Sequence, residues 1–172
     1  MNLFFSGIDG KLDNKRSEKI YDEELDNEVS VILDICDILH RTDKVTFKVS
    51  GFGFDNWLVD CGFDLPCVLE VLPCIISKIS KNNYNFELDF FEQGTERTVF
   101  FKDNGDHVLL DCISRTDWQP NPKRIIMQKE DIKSIFENFR DDFINCSEKI
   151  CKDLLHNEFL AEWLNAIKIG IN

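Results

Sequence analysis

Residues 84 to 115 read YNFELDFFEQGTERTVFFKDNGDHVLLDCISR, and the fold turns on how this stretch is parsed. Tyr84, Phe86, Leu88 and Phe90 alternate with Asn85, Glu87 and Asp89. A period of two puts one apolar and one mostly polar face on a strand. Phe91 breaks the alternation, so that end is expected to be covered on both faces. Glu92 to Glu96 is a polar loop in which Gly94 is free to take positive φ. Arg97 to Lys102 is the second strand. Asp103-Asn104-Gly105-Asp106 is the strongest hairpin signal in the chain, and Asn104-Gly105 suits a type I′ turn. With those two as the loop residues, Phe101 faces Val108 and Val99 faces Leu110 on one side of the sheet. Phe100 then faces Leu109, and Thr98 faces Asp111, on the other. The first face is wholly apolar. The second is apolar near the turn and polar further away. Helices covering most of one face and part of the other would satisfy this three-stranded antiparallel meander.

Beyond the meander, Thr116 to Pro122 contains Pro120 and Pro122 and reads as an irregular loop. Trp118 within it reads as a lid over the core, with an exposed anchor for a partner as the other reading. Arg124 to Gln128 adds a strand at a sheet edge. Lys129 to Leu155 is a long helix, because Ile132, Phe136, Phe139, Phe143, Cys146, Ile150 and Leu154 recur at helical spacing as a core-facing seam. His156-Asn157 breaks it. Glu158 to Lys168 is a second, short helix with Phe159, Leu160, Trp163, Leu164 and Ile167 on its apolar face.

Before the meander, Asp64-Leu65-Pro66 is a helix start, with an acid at the N-cap and proline in the first turn. Leu65, Val68, Leu69, Leu72, Ile75, Ile76 and Ile79 form its apolar stripe. Pro73 removes a backbone hydrogen bond in mid-helix, at a cost of roughly 3 kcal/mol unless the helix kinks, so a kinked helix is expected. Lys44 to Ser50 alternates as a strand, Gly51 to Phe54 ends it, and Trp57 to Cys61 is expected to pair back as the next strand. Gly51-Phe52-Gly53 has neither a third glycine nor a Gly-Lys-Ser/Thr element and is not a phosphate loop. Val29 to Arg41 reads as a helix, with a strand start over the β-branched run Val29 to Ile32 as the other reading, and Leu3 to Phe5 as the start of a short strand. Between them lies a polar stretch, Asp9 to Asn27, with Lys11, Lys15, Arg16 and Lys19 ahead of the acidic run Asp22 to Glu28. That run suits a solvated loop or a helix first turn, and its functional reading is contact with a basic partner. The class that follows is α+β, one domain over 1–172. It is an antiparallel meander sheet of about five or six strands, packed by a kinked central helix and a long C-terminal helix.

Composition narrows the function classes. At 172 residues, 43% hydrophobic and 30% charged, the chain is long and apolar enough to bury a proper core. No apolar run approaches the roughly 20 residues of a membrane helix. Met1 to Gly7 lacks a basic region followed by a full apolar one, so no signal peptide is expected. The seven cysteines are odd in number and mostly at apolar positions, which fits reduced thiols in a cytoplasmic protein. They and the three histidines, His40, His107 and His156, lack zinc-ligand spacing. The formal net charge of −12 repels nucleic acid and anionic membranes and attracts basic partners.

No catalytic constellation emerges. There is no Gly-x-Ser-x-Gly elbow. Cys112 and His107 lie five apart on one strand and so face opposite sides. The carboxylates Asp89, Glu92, Glu96 and Asp111 are pairs an acidic protein supplies by chance. The expectation is no enzyme, no cofactor and no metal.

Val49-Ser50-Gly51-Phe52-Gly53, Asp64-Leu65-Pro66, Phe90-Phe91-Glu92-Gln93-Gly94, Arg115 to Pro120 and the closing helix with Trp163 resemble segments of immunity proteins of bacterial toxin–immunity systems, including those of contact-dependent growth inhibition. The resemblance covers roughly residues 44 to 167. It implies a cytoplasmic inhibitor that binds one cognate toxin domain without catalysis, and many such toxins are nucleases with basic active sites. Acids at turns and a loop aromatic are the expected contacts: Asp55, Glu92, Glu96, Asp103, Asp106, Asp117 and Trp118. The reading from another class is a small enzyme or ligand-binding domain with a pocket between sheet and helices.

Overall fold

The computed structural model describes residues 1–7, 20–42 and 44–168; the part of the polar stretch from Asp9 to Lys19 lies outside them. In chain order the elements are β1 (Asn2–Gly7), α1 (Glu28–Arg41), β2 (Val45–Ser50), α2 (Asp64–Ser80), β3 (Phe86–Phe90), β4 (Arg97–Asn104), β5 (His107–Ser114), β6 (Arg124–Gln128), α3 (Lys129–Ile150), α4 (Lys152–Leu155), a 3₁₀ turn (Glu158–Leu160) and α5 (Ala161–Lys168). The class is α+β and every strand pairing is antiparallel.

The strands divide into two sheets where one was expected: a β1-β2 pair and a four-stranded meander, β3-β4-β5-β6. The expected partner of β2, Trp57 to Cys61, is not a strand. β1 takes that role, with Asn2 opposite Ser50 and Gly7 opposite Val45. The chain after β2 makes a two-residue turn in which Gly51 and Phe54 exchange backbone bonds of 2.9 and 3.1 Å. Phe52 and Gly53 both have positive φ, 57° and 81°, as a type I′ turn requires. One further bond, Trp57 N to Val49 O at 2.8 Å, is formed before the chain leaves the sheet. Burial of the Trp57 indole, 1% exposed, turns the segment inward as a loop.

The β4–β5 hairpin also differs from expectation. Asn104 pairs with His107, so the loop residues are Gly105 and Asp106. Positive φ occurs at Gly105 (70°) and not at Asp106, the type II′ pattern. Phe101 therefore faces Leu110, and Val99 faces Cys112. A slip of two residues keeps every side chain on its expected face. Phe86, Leu88, Phe90, Val99, Phe101, Val108 and Leu110 all point into the core.

The outer face of the meander is open to solvent, contrary to the expected partial helix cover. Ile113 and Ile126 are exposed there. Asp111 accepts from Lys102 (2.9 Å) and from Arg124. Those two cations, Arg124 foremost, hold its carboxyl down to about 2. The polar cross-strand cluster serves the face that helices leave uncovered.

α3 joins the two sheets. Phe136 packs edge-on against Phe86 of β3, at 5.7 Å between ring centroids, and Phe139 and Phe143 meet Phe5 of β1 at 6.2 and 5.9 Å. Ile132, Phe136, Phe139, Phe143 and Cys146 of the expected seam are buried, while Ile150 and Leu154 are only half-buried. The long helix stops at Ile150, not Leu155, because Cys151 leaves helical geometry (φ −143°, ψ 49°). Buried Arg140 donates from Nη1 to the Ile167 carbonyl at 3.3 Å, fastening the end of α5.

α2 is assigned as helix through Pro73 without interruption. Proline at 73 leaves the Leu69 carbonyl without its usual donor four residues on. The Trp163 indole supplies one, at Nε1···O 2.9 Å. At the start of α2, Phe63 rather than Asp64 occupies the N-cap position. Asp60 is the side chain that serves the turn, accepting from Gly62 N (2.7 Å) and Phe63 N (2.8 Å). α1 is capped by Asn27, which accepts from Val29 N (2.9 Å) and Ser30 N (3.4 Å).

Candidate functional site: the loop end of the meander

Three loops meet at one end of the four-stranded sheet: 51–63 after β2, 91–96 between β3 and β4, and 115–123 between β5 and β6. The backbone ties them together. Asn121 N donates to Phe52 O (2.9 Å), and Arg115 N donates to Glu96 O (2.9 Å). Thr95 Oγ1 donates to Leu58 O (2.9 Å). A Cβ on Gly53 would stand 2.0 Å from the Asn121 carbonyl oxygen, so only glycine allows loops 51–63 and 115–123 to close on each other.

Beneath the loops lies Arg97, a cation at an inward position of β4 and only 3% exposed. Its guanidinium carbon stands 3.9 Å from the Trp118 ring centroid, 4.6 Å from Trp57 and 5.5 Å from Phe54. Aromatic faces attract a desolvated guanidinium. Nε and Nη1 are buried and have no hydrogen-bond partner among the described residues. Burial pushes the Arg97 guanidinium down from its ordinary value. Phe54 and Trp57 come from loop 51–63 and Trp118 from loop 115–123, so the cage locks the two loops together. Trp118 packs inward as a lid on this cage and is half-buried.

The surface above is mixed in character. Leu58, Phe63 and Phe91 are 75%, 63% and 57% exposed, well beyond what core residues show. Phe91 therefore faces solvent, where its break in the alternation had suggested cover on both faces. Cys67 Sγ donates to the Phe63 carbonyl at 3.5 Å, and the Phe91 backbone also lies against that thiol. Leu58 joins through Thr95. Around these apolar groups stand Asp55 and Asp117, exposed, and Glu92 and Glu96, half-buried. None of the four forms an ion pair among the described residues. Burial is the largest cause that raises the nearby Asp64 carboxyl above its ordinary value.

The structure thus brings Asp55, Glu92, Glu96, Asp117 and Trp118 to one end of the sheet. Asp103 and Asp106 go to the other end, at the β4–β5 hairpin. Asp106 is exposed at the tip. Asp103 pairs with Lys129 at the start of α3 (2.9 Å) and accepts from Tyr84 N (3.4 Å). The Lys129 hydrogen bond foremost lowers its carboxyl. Asp103 ties the hairpin to α3 and is less available to a partner than the other acids. The sequence reading missed Leu58 and Phe63 as surface groups, the first because it was placed in a strand. It also missed Arg97 as a cage centre. The signal available for Arg97 was its phase with Val99 and Phe101, which aims it inward.

Between the meander and α3 the packing is nearly solid. The space there is about 10 Å³, lined by apolar side chains such as Leu3, Phe101, Leu110 and Phe136. Among the described residues no group of three or more His, Cys, Asp or Glu side chains could hold a metal ion, and no helix is long and apolar enough to cross a membrane. No protein-family model matches the chain, and neither the curated proteins nor the solved structures contain a match.

Proposed function

We propose that this chain is an immunity-type inhibitor. It binds a cognate toxin domain in the cytoplasm, a basic nuclease in the preferred reading, and blocks it without catalysis. One observation carries the proposal: three interlocked loops present exposed Leu58, Phe63 and Phe91 among four carboxylates that pair with no cation among the described residues. Apolar anchors ringed by polar groups on a rigid support are what a tight protein interface needs. Such acids, in a chain of net charge −12, speed encounter with a basic surface and can take the place of phosphates at a nuclease site. The near-solid packing between the meander and α3 leaves no room there for the pocket that an enzyme reading needs.

The test starts with capture of the tagged protein from its native cells, followed by mass spectrometry of what elutes as salt rises. One stoichiometric basic domain is expected, toxic when expressed alone and harmless when expressed with the wild-type chain. The variant D55K/E92K/E96K/D117K should lose protection and slow association by about tenfold or more at low salt. F91A/F63A should chiefly speed dissociation. A captured domain that binds both variants as tightly as wild type would show that the loop end is not the interface.

A further inference from the structure

A second surface, independent of the loop-end reading, lies where three helical elements meet. α1, α2 and the 3₁₀–α5 segment enclose an open groove of about 550 Å³. Volumes of this order hold several side chains or a small ligand. Its floor is apolar: Ile32, Pro73, Phe159 and Trp163 line it. Trp163 is fixed there by its bond to Leu69 O, and Phe159 by a ring contact with Tyr21 at 5.8 Å. The walls carry Glu28 from α1, Glu70 from α2, Glu158 from the 3₁₀ turn and Glu162 from α5. All four are exposed, and among the described residues none makes an ion pair and no basic side chain lines the groove.

Helix dipoles explain part of this. Glu28, Glu158 and Glu162 stand in first turns, where negative charge is favourable. That accounts for each acid singly. It does not account for Glu70, which lies in the second turn of α2. Nor does it account for the convergence of all four on one apolar floor. Glu158 and Glu162, both on the groove wall, also repel each other. A cation between them relieves that repulsion.

We propose that this groove docks a cationic amphipathic helix of a partner protein. Its apolar stripe lies on the Phe159–Trp163 floor, and its lysine or arginine flanks meet the four glutamates. The walls are themselves helices, so the groove offers the ridges and furrows into which another helix packs. The charge selects the occupant's sign: a neutral or acidic helix would leave all four carboxylates uncompensated beside apolar surface.

Cys74 is a built-in reporter. It lines the groove and is exposed, while the other six cysteines are buried. The probe is a designed leucine–lysine amphipathic peptide of about four turns, labelled for fluorescence anisotropy, with a scrambled peptide of the same composition beside it. The full chain is titrated with each, and alkylation of Cys74 is timed with and without peptide. The amphipathic peptide should bind saturably and slow Cys74 alkylation by about tenfold, and the scrambled one should bind more weakly. E70Q/E158Q/E162Q should weaken binding by about tenfold, while E23Q/E24Q/E87Q, which removes the same charge elsewhere, should change it by less than about twofold. Equal weakening in both variants would mean attraction to net charge alone and overturn the proposal. So would failure of the amphipathic peptide to bind, unprotected Cys74, or equal binding of the scrambled peptide.

Discussion

Arg97 occupies a position of β4 that the strand's alternation reserves for an apolar side chain. A guanidinium that loses water without gaining an anion is expensive, by several kcal/mol for an isolated ion. Stacking on Trp118, Trp57 and Phe54 returns on the order of 0.5–2 kcal/mol per ring. The prediction at this scale concerns two substitutions. R97M keeps the stem and the contacts to the rings but removes the charge, so its urea midpoint should match or exceed that of wild type. R97K keeps the charge but loses the planar group that stacks, so it should fall below R97M by on the order of 1 kcal/mol. The reverse order would mean that Arg97 has an anionic partner. Phe52 poses a similar local contest. Left-handed geometry costs a non-glycine residue about 1–2 kcal/mol, and full burial of a phenylalanine offsets it with about 1.5–3 kcal/mol. The Phe52 ring is 2% exposed and lies 6.4 Å from Trp57. The inward phase of Arg97 was legible in the sequence. Its caging by Trp118 was not, because the contact joins residues far apart along the chain.

At the level of elements, α2 and α5 share one hydrogen bond that the sequence made necessary but did not locate. Pro73 announces an orphaned carbonyl in mid-helix, and the expected remedy was a kink. The donor comes instead from Trp163, a residue whose apolar spacing had placed it in the core for other reasons. W163F should therefore destabilise the protein by about 1–3 kcal/mol beyond the small loss of ring volume, because a buried acceptor is left unmet. P73A restores a backbone N–H to Leu69 O, so the penalty for W163F should shrink in the P73A background. A thermodynamic cycle of wild type, both single variants and the double variant in urea checks this. Strict additivity would mean that the indole bond contributes no more than packing. The helices and meander strands were readable because periods of 3.6 and 2 are local properties. Trp57 to Cys61 failed as a strand because apolar content alone does not choose between pairing in a sheet and folding an indole into the core.

For the molecule as a whole, the excess of acids is a mutual repulsion that folding must overcome. With net charge −12, adding monovalent salt from about 20 to about 200 mM should raise the melting temperature, since the screening length falls below typical spacings between surface charges. A thermal melt followed by circular dichroism measures this, and a falling melting temperature would show that ion pairs such as Asp111 with Arg124 outweigh the repulsion. The α+β class, the meander and its inward face were legible, but the sorting of the acids was not: Asp55, Glu92, Glu96 and Asp117 share one end of the sheet while Asp103 and Asp106 lie at the other. The division into two sheets was not, because β2 has apolar alternation that any antiparallel strand could complete. Its actual partner, β1, has consequences in time as well as space. Phe5 lies against Phe139 and Phe143, which the ribosome adds long after β1 and β2. Until α3 emerges, Phe5 and Phe47 lack the Phe139 and Phe143 rings that pack on them, and a lone two-stranded ribbon is marginal in water. β1 is therefore secured only after every later strand has been made, and the growing chain carries a sticky, half-finished ribbon until α3 follows.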